Sequence, residues 1–292
     1  GLYAKTLDGD AFSDAMREQV LETIKADLGQ IDLVVYSLAS PVRQHPKTEV
    51  LHRSSIKPLG EVLEIKTVHV EKGEVSNVAL EPATEQEIAD TVTVMGGEDW
   101  QYWIDALLAA DLLAPKAKTV AYTYIGSELT WPIYWEGTLG KAKADLDRAS
   151  GEIQQKLQSI GGDAHVAVLK AIVSQASAAI PVVPLYAALL FQVMKEQGSH
   201  EECIEHIDRL FASQLQAGAT MRLDDSGRIR VDDLELSETV QAEVKRRWPL
   251  VDTQSLPELG DLAGFRTDFL KIFGFGIDGV DYDADVDPQR IS

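Results

Sequence analysis

The stretch Ile31-Asp32-Leu33-Val34-Val35-Tyr36-Ser37-Leu38-Ala39-Ser40-Pro41 indicates the class of fold. Its first half is a largely apolar run of β-prone residues, which predicts a buried strand, and its second half is a loop of small residues. A helix is predicted just before it over residues 11–28, because apolar residues recur every four positions and Gly29 can end the helix. Helix, glycine turn, strand and loop form part of a βαβ pattern, so we expect an α/β fold.

The same pattern returns twice further along the chain. Residues 119–125 are predicted to form a strand that is followed by a long helix over 133–161, and residues 164–173 form another strand that leads into a polar loop at 174–181. This recurrence predicts a doubly wound parallel sheet with helices on both faces. Ligands of such sheets bind at the carboxyl ends of the strands, which makes residues 37–41 a candidate cofactor edge.

Two segments depart from this alternation. Residues 46–82 contain two β-prone runs around a Lys72-Gly73 turn and predict a hairpin inserted near the mouth of a site. The sequence is compatible with two roles for this hairpin, a surface decoration or a part of the substrate-binding site. Residues 196–292 are more acidic and predict extra C-terminal helices over 203–215, 238–247 and 265–273. No internal repeat or low-complexity linker divides residues 1–292, so we interpret them as one domain.

Composition narrows the classes of function. The formal net charge of −20 opposes binding to nucleic acid, which depends on clustered Lys and Arg. The longest apolar stretch, residues 176–194, contains Pro181 and Pro184, so we expect no membrane span. The single cysteine, Cys203, is predicted to pack in the interior, and the six histidines show no metal-ligand spacing. We therefore expect a cytoplasmic protein without a metal site.

Tyr134 and Lys143 are the strongest candidates for chemistry, with Tyr124 beside them. A phenol close to an ammonium group can deliver a proton or a hydrogen bond to an oxygen that becomes negative during a reaction. This suits reduction of an activated double bond by a nicotinamide, with Lys143 expected to lower the pKa of Tyr134. Nine residues of regular helix would place Tyr134 and Lys143 on opposite faces, so Tyr134 must precede the helix or lie in a distorted first turn.

Several motifs resemble the trans-2-enoyl-CoA reductases and the FabV-type enoyl-acyl-carrier-protein reductases, which are related to the short-chain dehydrogenases/reductases. The family's Tyr-(eight residues)-Lys pattern falls on Tyr134 and Lys143. The other landmarks are the stretch from Asp32 to Pro41, Glu81-Pro82-Ala83-Thr84-Glu85-Gln86-Glu87-Ile88, Met95-Gly96-Gly97-Glu98-Asp99-Trp100, Thr130-Trp131-Pro132-Ile133-Tyr134-Trp135 and Phe273-Gly274-Phe275-Gly276-Ile277.

The resemblance implies a Rossmann-type fold, NADH as the cofactor, and reduction of the double bond of a trans-2-enoyl thioester carried by CoA or acyl carrier protein. It implies that Tyr134 supports the thioester oxygen, that Tyr124 assists there as a second substrate-binding and catalytic residue, and that Lys143 holds the nicotinamide ribose. The residues that match cofactor contacts are Asp10, Ala11, Ser37, Leu38, Ala39, Lys143, Ser174 and Gln175.

The resemblance also leaves alternatives open. The family has a first strand and a Gly-rich phosphate-binding turn before the point that matches Gly1, so we interpret the chain as N-terminally incomplete. A non-catalytic acyl-thioester-binding remnant is one alternative function. A carbonyl-reducing short-chain dehydrogenase is the other, although those enzymes have a Tyr-(three residues)-Lys pattern. CoA or acyl carrier protein as the carrier, and a monomer or a homodimer as the assembly, are not decided by the residues.

Overall fold

The computed structural model describes residues 2–38, 40–216 and 218–286. Ala39, one of the predicted cofactor contacts, therefore lies outside the described residues. The first part of the chain forms α1 (Asp14–Asp27), β1 (Ile31–Tyr36), β2 (Val42–Gln44), β3 (Leu51–Arg53), β4 (Leu63–His69), β5 (Glu74–Leu80), α2 (Glu85–Met95) and α3 (Glu98–Ala109).

The second part begins with the longest strand and is richer in helices. It forms β6 (Leu113–Thr123), α4 (Thr138–Leu157), a 3-10 turn (Gln158–Ile160), β7 (Asp163–Val168), α5 (Gln175–Ala179), α6 (Val183–Glu196), α7 (Cys203–Leu210), a π-helical turn (Phe211–Leu215), β8 (Ile229–Arg230), α8 (Glu238–Arg247), α9 (Leu256–Leu259) and α10 (Leu262–Lys271). Among the described helices, none combines the length and apolar character that crossing a bilayer requires.

A four-stranded sheet in the order β1-β6-β7-β8 lies at the centre, and all its pairs are parallel. The predicted α/β class with a parallel sheet is confirmed. Strand β8 was not predicted from the sequence, because only two residues pair with β7.

Helices cover both faces of this sheet, as the strand alternation requires. On β6, Ala121 faces a core of side chains from α3 and α4, whereas its neighbour Val120 faces a core built from α7, the π-helical turn and β8. Trp100 is fully buried in the first core and donates its indole N–H to the Thr119 hydroxyl at 2.9 Å. The doubly wound arrangement is thereby confirmed.

The predicted hairpin is present as β4 and β5, which pair antiparallel around the turn at Gly73. C-terminal residues hold it in place: the Lys66 ammonium donates to two carbonyls, those of Trp248 and Val251, each at 3.0 Å, and Arg266 donates to the Val70 carbonyl at 2.6 Å. A second, shorter hairpin, β2 with β3, was not predicted.

Cys203 is exposed, so the prediction that it packs in the interior is wrong. It is the first residue of α7, a short helix whose buried side chains are His206 and Leu210. Cys203 shares a helical face with these two residues, but it lies in the first turn and lines an open cavity, which gives solvent access to its side chain.

Candidate active site at the carboxyl edge of the sheet

The predicted site residues gather where the parallel strands end. Ser37 and Leu38 follow β1, Tyr124 follows β6, and Ser174 follows β7 after a short loop. The carboxyl edge of a doubly wound sheet is where such folds bind ligands. The fold thus brings residues that are more than one hundred positions apart in sequence to one edge of the sheet.

Tyr134 lies in a series of tight turns before α4, as its spacing from Lys143 requires. The turns fold back onto the start of the helix, and the Gly140 N–H donates to the Tyr134 carbonyl at 3.0 Å. A Cβ at Gly140 would lie 1.7 Å from the Trp135 carbonyl oxygen, so only glycine allows this close approach. Glycine at position 140 therefore sets where the phenol sits.

The Tyr134 side chain is 8% exposed and packs in a hydrophobic cluster with Ile65 of the hairpin and Val182 and Val183 near the start of α6. Burial raises the pKa of Tyr134, and Lys143 does not contribute to the shift. The expectation that Lys143 lowers this pKa is therefore wrong, because desolvation dominates. Among the described residues its hydroxyl has no hydrogen-bond partner, so a protonated phenol is available as a donor.

Tyr124 packs edge to face against Tyr134, with ring centroids 5.1 Å apart and an interplanar angle of 80°. Its hydroxyl donates to a carboxylate oxygen of Glu235 at 2.9 Å. Burial, followed by the charge of Glu235, raises the pKa of Tyr124 well above its ordinary value. The two phenols differ in that Tyr124 has a hydrogen-bond acceptor beside it in the protein.

Glu235 is the residue of this site that sequence reasoning missed. It follows β8 by five residues, is fully buried, and also accepts from the Tyr186 hydroxyl at 2.8 Å and from the Ala171 N–H at 2.5 Å. Burial raises the pKa of this carboxyl group, while the Ala171 N–H and the two phenols oppose the rise. An acid within the stretch Val231-Asp232-Asp233-Leu234-Glu235-Leu236 was the available signal, but a two-residue strand hides the strand-end context.

Lys143 lies in the second turn of α4 and is partly buried. Burial lowers the pKa of its ammonium group to about 8, and the negative charge of Asp147 opposes this shift. Within the described part of the chain its ammonium group forms no ion pair or hydrogen bond. It is thus a cation whose hydrogen-bond donors are available to a ligand.

The predicted adenine-side residues border an open groove with a volume of about 400 Å³. Its walls are Gly9, Asp10, Ala11 and Phe12 on one side and Ser40, Val42, Arg43, Gln44 and Leu51 on the other. The Asp10 carboxylate is exposed and accepts from the Phe12 N–H at 3.0 Å, and Ser37 and Leu38 are exposed at the end of β1.

Residues 174–181 differ from the predicted loop, because they contain the short helix α5. Ser174 caps this helix by accepting from the Ser177 N–H at 3.0 Å, and Gln175 is exposed on its first turn. A capping hydroxyl followed by small residues is enough to form one helical turn. Beyond the helix, Val182 has a φ of 70°, a strained conformation for a β-branched residue that its complete burial holds in place.

The arrangement fits a nicotinamide dinucleotide. A groove runs from Asp10 to the loop after β1, and Ser37 and Leu38 are exposed at the end of that strand. Among the described residues the ammonium of Lys143 has no partner, which suits the hydroxyls of a ribose. No group of three or more His, Cys, Asp or Glu in the described part of the chain is placed to hold a metal ion.

Two family models match the chain. One, described as the catalytic region of trans-2-enoyl-CoA reductase, matches residues 1–216, and one described as the enoyl reductase FAD binding domain matches residues 223–286. Within the second region, Gly274 and Gly276 have positive φ values in turns after α10 and follow no strand, so they do not form a dinucleotide-binding fingerprint.

Curated relatives agree with the first model. The enoyl-acyl-carrier-protein reductase (NADH) of Opitutus terrae is 57% identical over 289 residues, which cover 99% of this chain and 73% of that protein. The enoyl-acyl-carrier-protein reductase (NADH) 1 of Vibrio cholerae is 55% identical over 291 residues, with the same shares covered.

Solved structures agree as well. Trans-2-enoyl-CoA reductase of Clostridium acetobutulicum in complex with NADH matches with a TM-score of 0.94 and 46% identity, covering 98% of this chain and 72% of that one. The enzyme of Treponema denticola in complex with NAD matches with a TM-score of 0.93 and 47% identity, covering 98% and 71%.

The fold and these matches define a Rossmann-type reductase. The chain belongs to the trans-2-enoyl-CoA reductase family, as its sequence motifs predict.

Proposed function

We propose that this chain catalyses the NADH-dependent reduction of the carbon–carbon double bond of trans-2-enoyl thioesters, with Tyr134, Lys143 and Tyr124 in its active site. NADH reduction of enoyl thioesters is the activity named for its curated and structural relatives, and the chain is an enzyme of that family. The observation that carries the assignment of residues is Tyr134, a buried phenol with no internal partner among the described residues, at the family's position for the acid.

The reaction needs a group that stabilises negative charge on the thioester oxygen. The thioester carbonyl draws electrons from the double bond, and NADH, when bound, would supply the hydride for the β-carbon. The enolate that results takes a proton at the α-carbon from Tyr134 or from water, which completes the saturated acyl thioester. Tyr134 donates a hydrogen bond to the oxygen as its charge develops, and burial keeps the phenol protonated at neutral pH because it raises the pKa. One such donor is worth roughly 3 kcal/mol of barrier.

The remaining residues hold the cofactor in this proposal. Lys143 donates to the hydroxyls of the nicotinamide ribose, and Asp10 and Ala11 line the adenine side of the groove. Ser37 and Leu38, together with Ser174 and Gln175, border the nicotinamide side. Tyr124 forms the wall behind Tyr134 on the substrate side.

NADH oxidation in the presence of trans-2-butenoyl-CoA tests the proposal, with the Tyr134→Phe variant beside the natural protein. We expect kcat to fall roughly 10²- to 10³-fold with NADH binding retained, because only the oxygen-facing donor is removed. Tyr3→Phe, a change of an exposed tyrosine, is the control and should keep full activity. Equal turnover by Tyr134→Phe and the natural protein would overturn the role of Tyr134, and no turnover by either would favour an acyl-thioester-binding protein.

The carrier of the acyl group and the assembly remain part of the proposal. We infer a thioester of CoA or acyl carrier protein as substrate, a monomer or homodimer in solution, and a cytoplasmic location. A comparison of kcat/KM for the same enoyl chain on the two carriers separates the substrates, and light scattering at known protein concentration gives the assembly.

A further inference from the structure

Glu235 is a carboxyl group with no access to solvent, and three donors surround it. One of its oxygens accepts from the hydroxyls of Tyr124 and Tyr186, and the other accepts from the Ala171 N–H. These donors come from the ends of β6 and β7 and from α6. Burying an acid is costly unless its oxygens are hydrogen-bonded, so this set of donors is what makes the position tolerable.

The nearest cation does not neutralise Glu235 directly. Lys170 is 2% exposed, and its ammonium donates to the carbonyl of Ala171 rather than to Glu235. The backbone N–H of Ala171 is the group that donates to Glu235. Within the described part of the chain, no basic group lies within ion-pair distance of Glu235. The phenols are therefore the principal side-chain partners of this carboxyl group.

Because of this geometry, the two active-site phenols have different hydrogen-bonding roles. The hydroxyl hydrogen of Tyr124 is directed to Glu235, so the oxygen of Tyr124 presents lone pairs, rather than a proton, to its other surroundings. The hydrogen bond also fixes the Tyr124 ring, which packs edge to face on Tyr134. Tyr134 is left as the phenol whose proton is available.

We propose that Glu235 is a positioning residue of the reductase: it holds Tyr124 by its hydroxyl, and Tyr124 in turn holds the ring of Tyr134 in the orientation that meets the thioester oxygen. The inference rests on the proposed function, because it concerns how the proposed acid is aligned. Glu235 acts through Tyr124 and touches neither substrate nor cofactor in this account.

The Glu235→Gln variant tests the idea while keeping the size of the side chain. The Ala171 N–H still requires an acceptor, so the amide oxygen faces Ala171 and the amide NH2 faces the phenols, which leaves the Tyr124 hydroxyl without its acceptor. We expect kcat for trans-2-butenoyl-CoA to fall roughly 10- to 100-fold with KM for NADH unchanged, because the defect is one of alignment.

A double-variant comparison separates positioning from general damage. If Glu235 acts through Tyr124, combining Glu235→Gln with Tyr124→Phe lowers kcat no further than the more damaging of the two single changes. Multiplied losses in the double variant would overturn the inference.

Asp232→Asn is the matched control. Asp232 is a buried carboxylate on the same loop, 3% exposed, and pairs with Arg230 at 2.5 Å rather than with a phenol. Its loss should lower the melting temperature and leave kcat unchanged. Activity of Glu235→Gln equal to that of the natural protein would also overturn the inference, whereas an inactive natural protein would instead contradict the proposed function.

Discussion

Lys143 carries its charge in surroundings that disfavour it. Burial lowers the pKa of its ammonium group to about 8, and Asp147 compensates only in part. If this ammonium holds the cofactor, affinity for NADH depends on a proton that is lost near the upper end of the physiological pH range.

We therefore expect kcat/KM for NADH to fall as pH rises through about 8, since the neutral amine attracts the ribose hydroxyls less strongly. Initial rates at subsaturating NADH across a pH series measure this. Lys143→Arg keeps its charge at all these pH values. Its profile should stay flat through the same range, even if its activity is lower, and a natural protein with constant kcat/KM up to pH 10 would contradict the prediction.

The same group makes a stability prediction of known sign. Its pKa is lower in the folded state than the ordinary 10.5, so the folded state binds the proton less well than the unfolded state does. Protonated Lys143 therefore lowers stability below pH about 8, and this penalty disappears as pH rises from 8 to 10.5. Lys143→Met should raise the free energy of unfolding at pH 7 by up to about 3 kcal/mol. Urea titrations at pH 7 and pH 10 check that the gain is larger at the lower pH.

Residues with a local signature were predictable, and residues that depend on distant contacts were not. Tyr134 and Lys143 stand in a motif with a fixed spacing, and helix geometry alone requires that Tyr134 lie before the regular helix or in a distorted first turn. Glu235 has no such signature, because its partners at positions 124, 171 and 186 are distant in sequence. The failed pKa expectation for Tyr134 has a similar cause, since burial is a tertiary property.

Among the elements, the first turn of α4 determines where the phenol lies. Gly140→Ala would drive a Cβ into the Trp135 carbonyl, so the preceding turns must shift and move Tyr134 with them. We expect a 10- to 100-fold loss of kcat and a loss of about 1–3 kcal/mol of stability, measured by steady-state assay and denaturant titration.

Gly151→Ala supplies the control within the same helix. A Cβ there has no neighbour within 4 Å, so the substitution should raise stability by up to about 1 kcal/mol and keep kcat. Normal activity in Gly140→Ala would show that the backbone contact does not position Tyr134.

Elements with strong local patterns were predicted well. The interval 238–247 predicted for a C-terminal helix coincides with α8, and the N-cap residue Ser237 accepts from the Val240 N–H at 3.4 Å. Elements that form through tertiary pairing were missed: β8 has two residues, and β2 and β3 have three each. Such short strands carry too few residues for alternation to be seen.

At the scale of the whole molecule, a buried charge cluster ties separate elements together. Asp99 of α3 is 1% exposed; its carboxylate accepts from Arg17 of α1 at 3.0 Å and from the Tyr36 hydroxyl of β1 at 3.2 Å, and Arg43 of β2 lies 3.8 Å away. Removing one member leaves buried charge without compensation.

Asp99→Asn should therefore lower the free energy of unfolding by about 3 kcal/mol. Asp105 is on the same helix as Asp99 and forms an exposed ion pair with Lys156 of α4. Asp105→Asn removes this pair and should lower the free energy of unfolding by less than about 1 kcal/mol. Denaturant titrations of both variants measure these free energies of unfolding. An equal decrease in the two variants would show that the buried cluster stabilises the fold no more than an exposed ion pair does.

The attachment of the β4–β5 hairpin to the C-terminal segment has a consequence for the order of folding during synthesis. Lys66 contacts Trp248 and Val251, and the Val70 carbonyl contacts Arg266. Nearly two hundred further residues must therefore be synthesised before the hairpin can dock. Contacts so distant along the chain close slowly. Because the hairpin supplies Ile65 to the cluster around Tyr134, the surroundings of the proposed acid are completed only after Arg266 has been synthesised.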